Sequence, residues 1–469
     1  MAQTVAQKLD AAARENPDKI VIVGPTGQMS WRELDARAGA VAQFLSDEGA
    51  KPGDRLAIAT DNITDTVIGV VAGLKLGAAI TPLNPRLSEG DKKDVLDVLK
   101  TARMIEYLPP GEAQFPAVAV EAATPAVILF TSGSTGAPKG VVLSQRALSA
   151  GMDLWVGAAL QLRSDDVVVS VLPLAHSYGL FGTLLSPLLL SATAILVPRF
   201  SPEAVLTAIE RHNATVFSGV ATMFRRMLDS GVMNKGGLSS LRFCTSGAAP
   251  CPWELAEEWR EATGVRIVRG YGMSELFRPI CFSPDDTLEI PESIGHAPKG
   301  VTLKLVDEKG DAMGDDPDAV GELWIKSPTC MTEYVDRPED TAAVIQEGWF
   351  KTGDLARITP EGLVCIVGRK KEIILRGGYT IAAGEIEAAL AAHPDVAEAA
   401  VIAVPDRELG EEVCAFVAFR PGTSVAEEEL VEFCKQRLSS YKYPRIFHFV
   451  AELPKNATGK IDKRQLKGR

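Results

Sequence analysis

The chain has 469 residues, of which 46% are hydrophobic and 23% are charged. These values are ordinary for a globular protein, and they exclude disorder, collagen and a coiled coil as descriptions of the whole chain. The net charge of −12 argues against general nucleic-acid binding, because such proteins need basic surfaces for phosphate contacts. The region 435–469 is nevertheless basic, with a local charge of +8, which suits either an anionic ligand or a solvated surface.

Neither the N-terminus nor the cysteines carry a signal of export. The first residues lack the apolar core of a signal peptide and have the pattern of an amphipathic helix. The seven cysteines are scattered and form no C-x-x-C pair, so we expect reduced thiols and a cytoplasmic protein. Pro173, Gly179 and Pro187 interrupt the longest uncharged stretch, which predicts buried strands and a helix and not a membrane span.

Short β-branched runs alternate with amphipathic helical patterns over most of the chain, which predicts α/β layers with parallel strands. The predicted strands are 20–23, 55–59, 126–130, 167–172, 194–197, 216–218, 241–245 and 266–269. The predicted helices are 31–48, 65–76, 202–212 and 252–263. From 291 to 354 the sequence instead has short strands, Gly and Pro, which indicates a small β subdomain.

A boundary is indicated at the basic run around Lys371, and it divides the chain into two predicted domains. Residues 1–370 form a large N-terminal domain of layered α/β subdomains with the small β subdomain. Residues 371–469 form a small α+β domain. Its predicted strands are 396–404 and 415–420, and its predicted helices are 383–392 and 426–438.

The most informative segment is 126–144, where a strand enters a loop of Gly, Ser and Thr. Backbone N–H groups and hydroxyls in such a loop can surround a polyphosphate, and a following lysine adds positive charge. The ending of a Walker A loop is absent, and 141–144 has the pattern of a strand. The segment therefore predicts a β-hairpin with a phosphate-binding turn. Its candidate phosphate contacts are Thr131, Ser132, Gly133, Ser134, Thr135, Gly136 and Lys139.

Together with this loop, further motifs in order resemble the superfamily of adenylate-forming enzymes, most closely its acyl-CoA synthetases. That superfamily also contains peptide-synthetase adenylation domains and beetle luciferases. The motifs are LPLAHSYG at 172–179, SGAAP at 246–250, GYGMSE at 270–275, WFKTGD at 349–354, GRKK at 368–371 and PKNATGK at 454–460. The resemblance covers nearly the whole chain.

The resemblance implies a site for MgATP in the N-terminal domain. Besides the loop, the implied ATP and AMP contacts are Gly247, Ala248, Ala249, Tyr271, Gly272, Asp354 and Arg369. Glu275 and Thr135 are the implied magnesium ligands, which agrees with the preference of Mg²⁺ for a few oxygen ligands. The implied catalytic residues are Lys460, Glu275, Ser274 and His176. Taken singly, Glu275 and Asp354 would more often form a surface salt bridge or a turn cap, and it is the motif context that favours the nucleotide site.

The implied acyl pocket consists of His176, Ser177, Tyr178, Phe217, Ser218, Gly247, Gly270 and Gly272. His176 has no metal-ligand spacing with the other four histidines, so we infer no zinc site, and a satisfied core histidine is its alternative interpretation. Ala175-His176 replaces the aspartate with which peptide-synthetase domains hold an α-amine, which argues against an amino-acid substrate. The two glycines predict room for more than acetate. Arg278 could bind a second carboxylate, although an exposed arginine is the commoner situation.

The resemblance implies that the C-terminal domain is a small mobile domain with a hinge at Lys371. It also implies a coenzyme A surface at Gly377 and Gly378 and a catalytic ammonium at Lys460. Acetylation of Lys460 would remove that charge, so a lysine acetyltransferase is a candidate partner. We expect Lys463 and Lys467 to be ordinary solvated lysines.

These features predict an ATP-dependent carboxylic acid–CoA ligase that passes through an acyl-adenylate. Its implied substrates are a small-molecule carboxylic acid, ATP and coenzyme A, with magnesium, and without nucleic-acid or integral membrane partners. The acid itself stays open among small aliphatic, branched, hydroxylated and aromatic acids. Three alternatives also stay open: an enzyme that loads a separate carrier protein, a nucleotide-binding regulator or ATPase, and a luciferase-like oxygenase.

Overall fold

The computed structural model describes residues 3–100, 103–132, 138–231, 238–314, 316–377, 379–455 and 461–467. Its α-helices are α1 Val5–Glu15, α2 Trp31–Asp47, α3 Ile63–Leu76, α4 Glu89–Leu99, α5 Gln145–Leu154, α6 Ser186–Leu189, α7 Pro202–His212, α8 Ala221–Asp229, α9 Trp253–Thr263, α10 Pro338–Val344, α11 Ala383–Ala391 and α12 Glu427–Lys435. Two π-helical segments cover Trp155–Ala159 and Tyr178–Leu185, and 3₁₀ turns cover Lys370–Glu372 and Lys463–Leu466. Across these ranges, no helix has the length and apolar character needed to cross a membrane.

The strands alternate with these helices through the first half of the chain. They are β1 Ile20–Gly24, β2 Gly27–Ser30, β3 Arg55–Ile58, β4 Ala79–Pro82, β5 Arg103–Ile105, β6 Pro125–Ser132, β7 Pro138–Ser144, β8 Val167–Ser170, β9 Thr193–Leu196, β10 Val216–Gly219, β11 Phe243–Ser246, β12 Ile267–Val268, β13 Gly270–Met273, β14 Phe277–Cys281, β15 Thr302–Val306, β16 Gly321–Lys326, β17 Glu333–Tyr334, β18 Ile345–Gln346, β19 Trp349–Ile358, β20 Val364–Arg369, β21 Ile373–Arg376, β22 Tyr379–Ala382, β23 Val396–Asp406, β24 Gly410–Phe419 and β25 Ile446–Phe449.

Local sequence signals set the helix ends. The Ser30 side chain and Glu33 form a capping box at the start of α2, which satisfies backbone N–H groups that have no partner inside the helix. Ser201 caps α7, and Pro202 occupies its first position, where a missing N–H costs nothing. The helix α7 begins and ends at the predicted residues, because both of its termini carry such signals.

Two large sheets form the N-terminal layers. One has the order β12-β11-β10-β8-β9-β1-β2 and is parallel except for the β1–β2 hairpin. The other has the order β17-β7-β6-β4-β3-β5. Its strands β5, β3, β4 and β6 are parallel, and β7 pairs antiparallel with both β6 and β17. Helices cover these sheets, as parallel strands joined by crossovers require. The predicted α/β class is confirmed.

The later part of the chain changes architecture. Strands β15, β16, β18, β19 and β20 form an antiparallel sheet, in agreement with the predicted β subdomain. After β20 ends at Arg369, the 3₁₀ turn Lys370–Glu372 leads into a separate sheet of β22-β21-β24-β23 with β25 beside β24. The side chain of Arg420 in this last unit lies 3.7 Å from Asp229 of α8.

Candidate active site

The predicted phosphate hairpin is present. Strands β6 and β7 pair in antiparallel register, with Thr131 opposite Lys139 and Ser132 opposite Pro138. The hairpin therefore brings the lysine back beside the strand end from which the loop departs. Gly133, Ser134, Thr135 and Gly136 lie outside the described residues, so their contacts with phosphate stay predictions.

Lys139 belongs to a network that connects this hairpin to Glu275. Its Nζ lies 2.9 Å from a carboxylate oxygen of Asp340 and 5.1 Å from the centre of the Tyr334 ring. The Tyr334 hydroxyl donates to Oε1 of Glu275 at 2.9 Å. Lys139 holds the pKa of Asp340 below its usual value through their hydrogen bond. Lys139, a predicted phosphate contact, and Glu275, a predicted magnesium ligand, therefore both contact Tyr334.

Neither Tyr334 nor Asp340 was predicted from the sequence. Tyr334 reaches the site because β17 pairs with β7, with Tyr334 opposite Val141, and Asp340 follows in α10. This pairing joins residues almost two hundred positions apart in the chain. No local pattern in the sequence indicates such a partnership.

A second cluster forms around Asp354 at the end of the WFKTGD motif. Asp354 is 3% exposed, its Oδ2 accepts a hydrogen bond from the Tyr271 hydroxyl, and its Oδ1 lies 3.1 Å from Nε of Arg369. Strand pairing sets this geometry, because Asp354 on β19 lies opposite Arg369 on β20. Burial raises the pKa of the Asp354 carboxyl, and the Arg369 guanidinium opposes that rise. The structure thus joins three predicted nucleotide contacts from separate motifs.

The predicted adenine turn follows β11 at the carboxyl end of the parallel sheet, which is the usual ligand edge of such sheets. The Gly247 N–H donates to the carbonyl oxygen of Gly219 at the end of the neighbouring strand, at 3.4 Å. Ala248 has φ of +65°, a conformation that few non-glycine residues adopt. A Cβ atom at Gly247 would lie 3.0 Å from the Tyr178 ring, so this glycine allows the tyrosine to pack against the turn.

A cavity of about 30 Å³ lies beside this turn. It is lined by Trp155, His176, Ser177, Tyr178, Gly247, Ala248, Gly270, Tyr271, Gly272, Met273, Phe277 and Arg278. The lining includes most of the predicted acyl pocket together with Ala248 and Tyr271 from the predicted nucleotide site. An acid bound in the cavity would therefore adjoin a nucleotide bound at Asp354.

Buried hydroxyls hold the Tyr178 side chain at the cavity. Its hydroxyl lies 2.6 Å from Oγ1 of Thr245, which in turn donates to Oγ of Ser218 at 2.9 Å. Ser218 therefore does not line the cavity itself, and it is connected to the cavity only through Thr245 and Tyr178. Burial raises the pKa of the Tyr178 phenol, so it stays protonated at neutral pH. The Tyr178 N–H donates to Nδ1 of His176 at 3.2 Å, which favours the tautomer with the proton on Nε2.

Phe217 does not line the cavity, contrary to the prediction. Side chains alternate along β10, and Ser218 points toward Tyr178, so Phe217 points to the opposite face of the sheet. There it is fully buried and packs edge-on against Phe224, with ring centres 5.2 Å apart. Phe217 belongs to the hydrophobic core.

Gly270 and Gly272 line the cavity, but the position of a side chain at each is already occupied. A Cβ atom at Gly270 would lie 2.4 Å from Nε of Arg278, and one at Gly272 would lie 2.3 Å from the Phe277 carbonyl oxygen. The absence of a side chain at both glycines therefore makes room for other atoms of the β13–β14 hairpin. Arg278 is not the exposed arginine that was expected, since it is 4% exposed and lines the cavity.

The donor set near the phosphate hairpin suits magnesium that is held mainly by a substrate. Within the described ranges, no three His, Cys, Asp or Glu residues form a metal-binding group. Glu275 supplies one carboxylate, and Mg²⁺ usually takes one or two carboxylates while phosphate oxygens and waters complete its shell. Thr135, the other predicted ligand, lies outside the described residues. Ser274 is buried directly before Glu275.

The predicted hinge and coenzyme A residues lie at the start of the C-terminal unit. Lys371 is exposed within the 3₁₀ turn between β20 and β21. Gly377 has φ of +56°, which favours glycine, and its N–H donates to the Leu409 carbonyl oxygen at 2.8 Å. Gly378 and Lys460 lie outside the described residues.

Lys463 is not the solvated lysine that was expected. Its Nζ contacts Glu372 in the hinge turn and lies 2.8 Å from Oε1 of Glu387 in α11. Lys467, in contrast, is exposed. The seven cysteines are all free, as the sequence predicted.

Comparison with known proteins agrees with this geometry. The family model described as AMP-binding enzyme matches residues 9–110 and 91–335, and that of the AMP-binding enzyme C-terminal domain matches 385–460. The medium-chain fatty-acid–CoA ligase of Escherichia coli is 31% identical, over 98% of this chain and 89% of that protein. The oxalate–CoA ligase of Arabidopsis thaliana is 32% identical, over 99% and 98%. The crystal structure of ATP-bound MatB from Rhodopseudomonas palustris superposes with a TM-score of 0.90 at 29% identity, covering 99% of this chain and 98% of that one. The chain therefore belongs to the AMP-binding enzyme family.

Proposed function

We propose that this protein is an ATP-dependent carboxylic acid–CoA ligase. The observation that carries the proposal is the shared wall between two sites. Tyr271 lines the cavity and also donates to Asp354, so an acid and a ribose would sit on either side of one ring. Such a juxtaposition suits the joining of a carboxylate to the α-phosphate of ATP. Adenylation needs this positioning more than it needs a nucleophilic side chain.

The proposed reaction has two steps. In the first, an oxygen of the substrate carboxylate attacks the α-phosphorus of ATP, which forms an acyl-adenylate and releases pyrophosphate. In the second, the thiolate of coenzyme A attacks the acyl carbon, and the carbon–oxygen bond to AMP breaks. The products are a thioester and AMP. The enzyme holds the reactants and stabilises charge in both steps, and no covalent enzyme intermediate forms.

We assign roles to this chain's residues from their contacts. The Asp354 carboxylate binds the ribose hydroxyls, while Tyr271 and Arg369 fix its orientation. Lys139 releases Asp340 and binds the phosphates instead, because the Asp340 carboxylate is half-exposed and can return to water. His176 lies at the cavity wall and orients the acid. Lys460 stabilises the developing charge between carboxylate and α-phosphate.

Glu275 is the residue that would hold magnesium, together with the hydroxyl of Thr135. When bound, the ion would neutralise charge on the phosphates of ATP. Tyr334 donates to Glu275 and thereby limits the directions in which the carboxylate can point. This restriction supports a fixed ligand position.

We also propose that residues 1–370 and 371–469 act as two domains in a cytoplasmic enzyme. The turn at Lys371 joins two separate sheets, which supports a rotation about this point between the two steps. Rotation would replace Lys460 by the surface around Gly377 and Gly378 as the thiol arrives. Lysine acetylation at Lys460 would block the first step by removing its charge.

The test is to incubate the protein with ATP, magnesium and a panel of carboxylic acids, with and without coenzyme A. We expect acid-dependent pyrophosphate release, and AMP with a thioester only when coenzyme A is present. Thioester formation on an added carrier protein but never on coenzyme A would replace this function by carrier loading. Phosphate release that does not depend on any acid would indicate an ATPase and contradict the proposal.

A further inference from the structure

Arg278 is a buried cation at the wall of the cavity. It lies on β14, is 4% exposed, and donates from Nη2 to the Val268 carbonyl oxygen at 3.1 Å. In the described part of the chain it forms no ion pair with a carboxylate. Burying an unpaired charge is costly, so proteins keep such groups where a ligand or a partner compensates them.

Two hydrogen-bond donors at this cavity lack a partner among the residues that the structure describes. They are the buried Nε atom of Arg278 and the buried Nε1 atom of Trp155. The guanidinium carbon lies 5.9 Å from the centre of the Trp155 ring, and both side chains line the cavity. Most buried polar side-chain atoms in proteins have a partner, so two unpartnered donors that line one cavity indicate a missing acceptor there.

Gly270 leaves the space in which the Arg278 guanidinium lies. A side chain at Gly270 would collide with the Arg278 guanidinium, so the glycine preserves the position of the charge. An apolar chain in this cavity would place its methyl end beside Arg278 and Trp155 and leave both donors unsatisfied.

We infer that the acid activated by this protein is a short dicarboxylic acid whose second carboxylate binds between Arg278 and Trp155. A carboxylate supplies about four acceptor positions and one negative charge, which matches two donors and one unpaired cation. A neutral carbonyl or hydroxyl would satisfy a donor and leave the charge uncompensated. The reacting carboxylate would point toward Tyr271, on the nucleotide side of the cavity. This inference rests on the proposed acid–CoA ligase function.

The first test compares acids of equal carbon number on the wild-type enzyme. The pairs are malonate with propionate, succinate with butyrate, and glutarate with valerate, and the readout is kcat/KM for acid-dependent pyrophosphate release. We expect at least one dicarboxylate to exceed its partner by about 10²-fold, because losing one member of a buried charge pair costs that much or more. A preference for the monocarboxylate in every pair would overturn the inference and leave the ligase function standing. Absence of activity with every acid, including the larger panel, would overturn both.

The second test uses Arg278→Met, Arg278→Lys and Trp155→Phe, each with its thermal midpoint measured. We expect Arg278→Met to lower the ratio of dicarboxylate to monocarboxylate kcat/KM by about 10²-fold, and Arg278→Lys to restore part of that ratio. Trp155→Phe keeps the ring, removes one donor, and should lower the ratio about tenfold. Equal losses for both acids in Arg278→Met would indicate a structural role and contradict the inference. If Arg278→Met does not fold, the wild-type comparison and Trp155→Phe still decide.

Discussion

Replacement of Asp354 by asparagine tests the assignment of the ribose site. A carboxylate offers about four acceptor positions. Tyr271 and Arg369 occupy one each, which leaves two for the two ribose hydroxyls. Asp354→Asn removes the charge and converts one oxygen into a donor. Hydrogen bonds to charged groups contribute about 1.5–3 kcal/mol, so we expect KM for ATP to rise about 10- to 100-fold. The fold should persist, because asparagine has nearly the shape of aspartate and the 64% exposed Arg369 side chain can exchange its lost partner for water.

The assay pairs this variant with a modified substrate. For the wild-type enzyme, kcat/KM should be at least about tenfold lower with 2′-deoxyATP than with ATP. For Asp354→Asn the two nucleotides should differ by less than about threefold, because the 2′-hydroxyl has already lost its partner. Tyr271→Phe is the matched control, because it removes a neighbour of Asp354 and leaves the carboxylate, so discrimination should persist. Equal discrimination by wild type and Asp354→Asn would refute the ribose assignment.

Three further substitutions test the remaining assignments. Glu275→Gln should lower the adenylation rate at least about tenfold and raise the magnesium concentration needed for half-maximal rate, and an unchanged magnesium titration would exclude Glu275 as a ligand. Lys371→Pro fixes φ near −65°, so acyl-adenylate formation should continue while thioester formation falls, and equal losses would indicate general destabilisation. Lys460→Ala should slow adenylation about 10²- to 10³-fold and leave thioester formation from a synthetic acyl-adenylate nearly unchanged. Lys467→Ala, which removes an exposed lysine, is the control.

The sequence predicted the parts of the molecule that depend on local signals. Helix α7 carries a cap, a first-position proline and a left-handed end at Asn213, and its bounds agree with the prediction. The β6–β7 hairpin was predictable from a strand, a turn composition and a second strand. The clustering of Asp354 with Tyr271 and Arg369 came from the family resemblance, and the structure supplies the strand pairing that produces it.

What the sequence could not give were the contacts that depend on which face a side chain occupies. Phe217 and Ser218 are adjacent, and only the sheet decides that the serine faces Tyr178 while the phenylalanine enters the core. Arg278 looked like a surface residue because its burial depends on space left by Gly270 across a hairpin. Lys463 likewise gained its two carboxylate partners from other elements of the fold.

The fate of one carboxylate oxygen tests the two-step ligase reaction most directly. An acid accepted in the panel is labelled with oxygen-18 in its carboxylate and incubated with the wild-type enzyme, ATP, magnesium and coenzyme A. If the carboxylate attacks the α-phosphate and the thiol then attacks the acyl carbon, each turnover transfers one labelled oxygen of the reacting carboxylate to AMP and leaves its other oxygen in the thioester carbonyl. Mass spectrometry of both products should find this distribution. Unlabelled AMP, with the label in pyrophosphate, inorganic phosphate or unreacted acid, would contradict an acyl-adenylate and with it the account of this site.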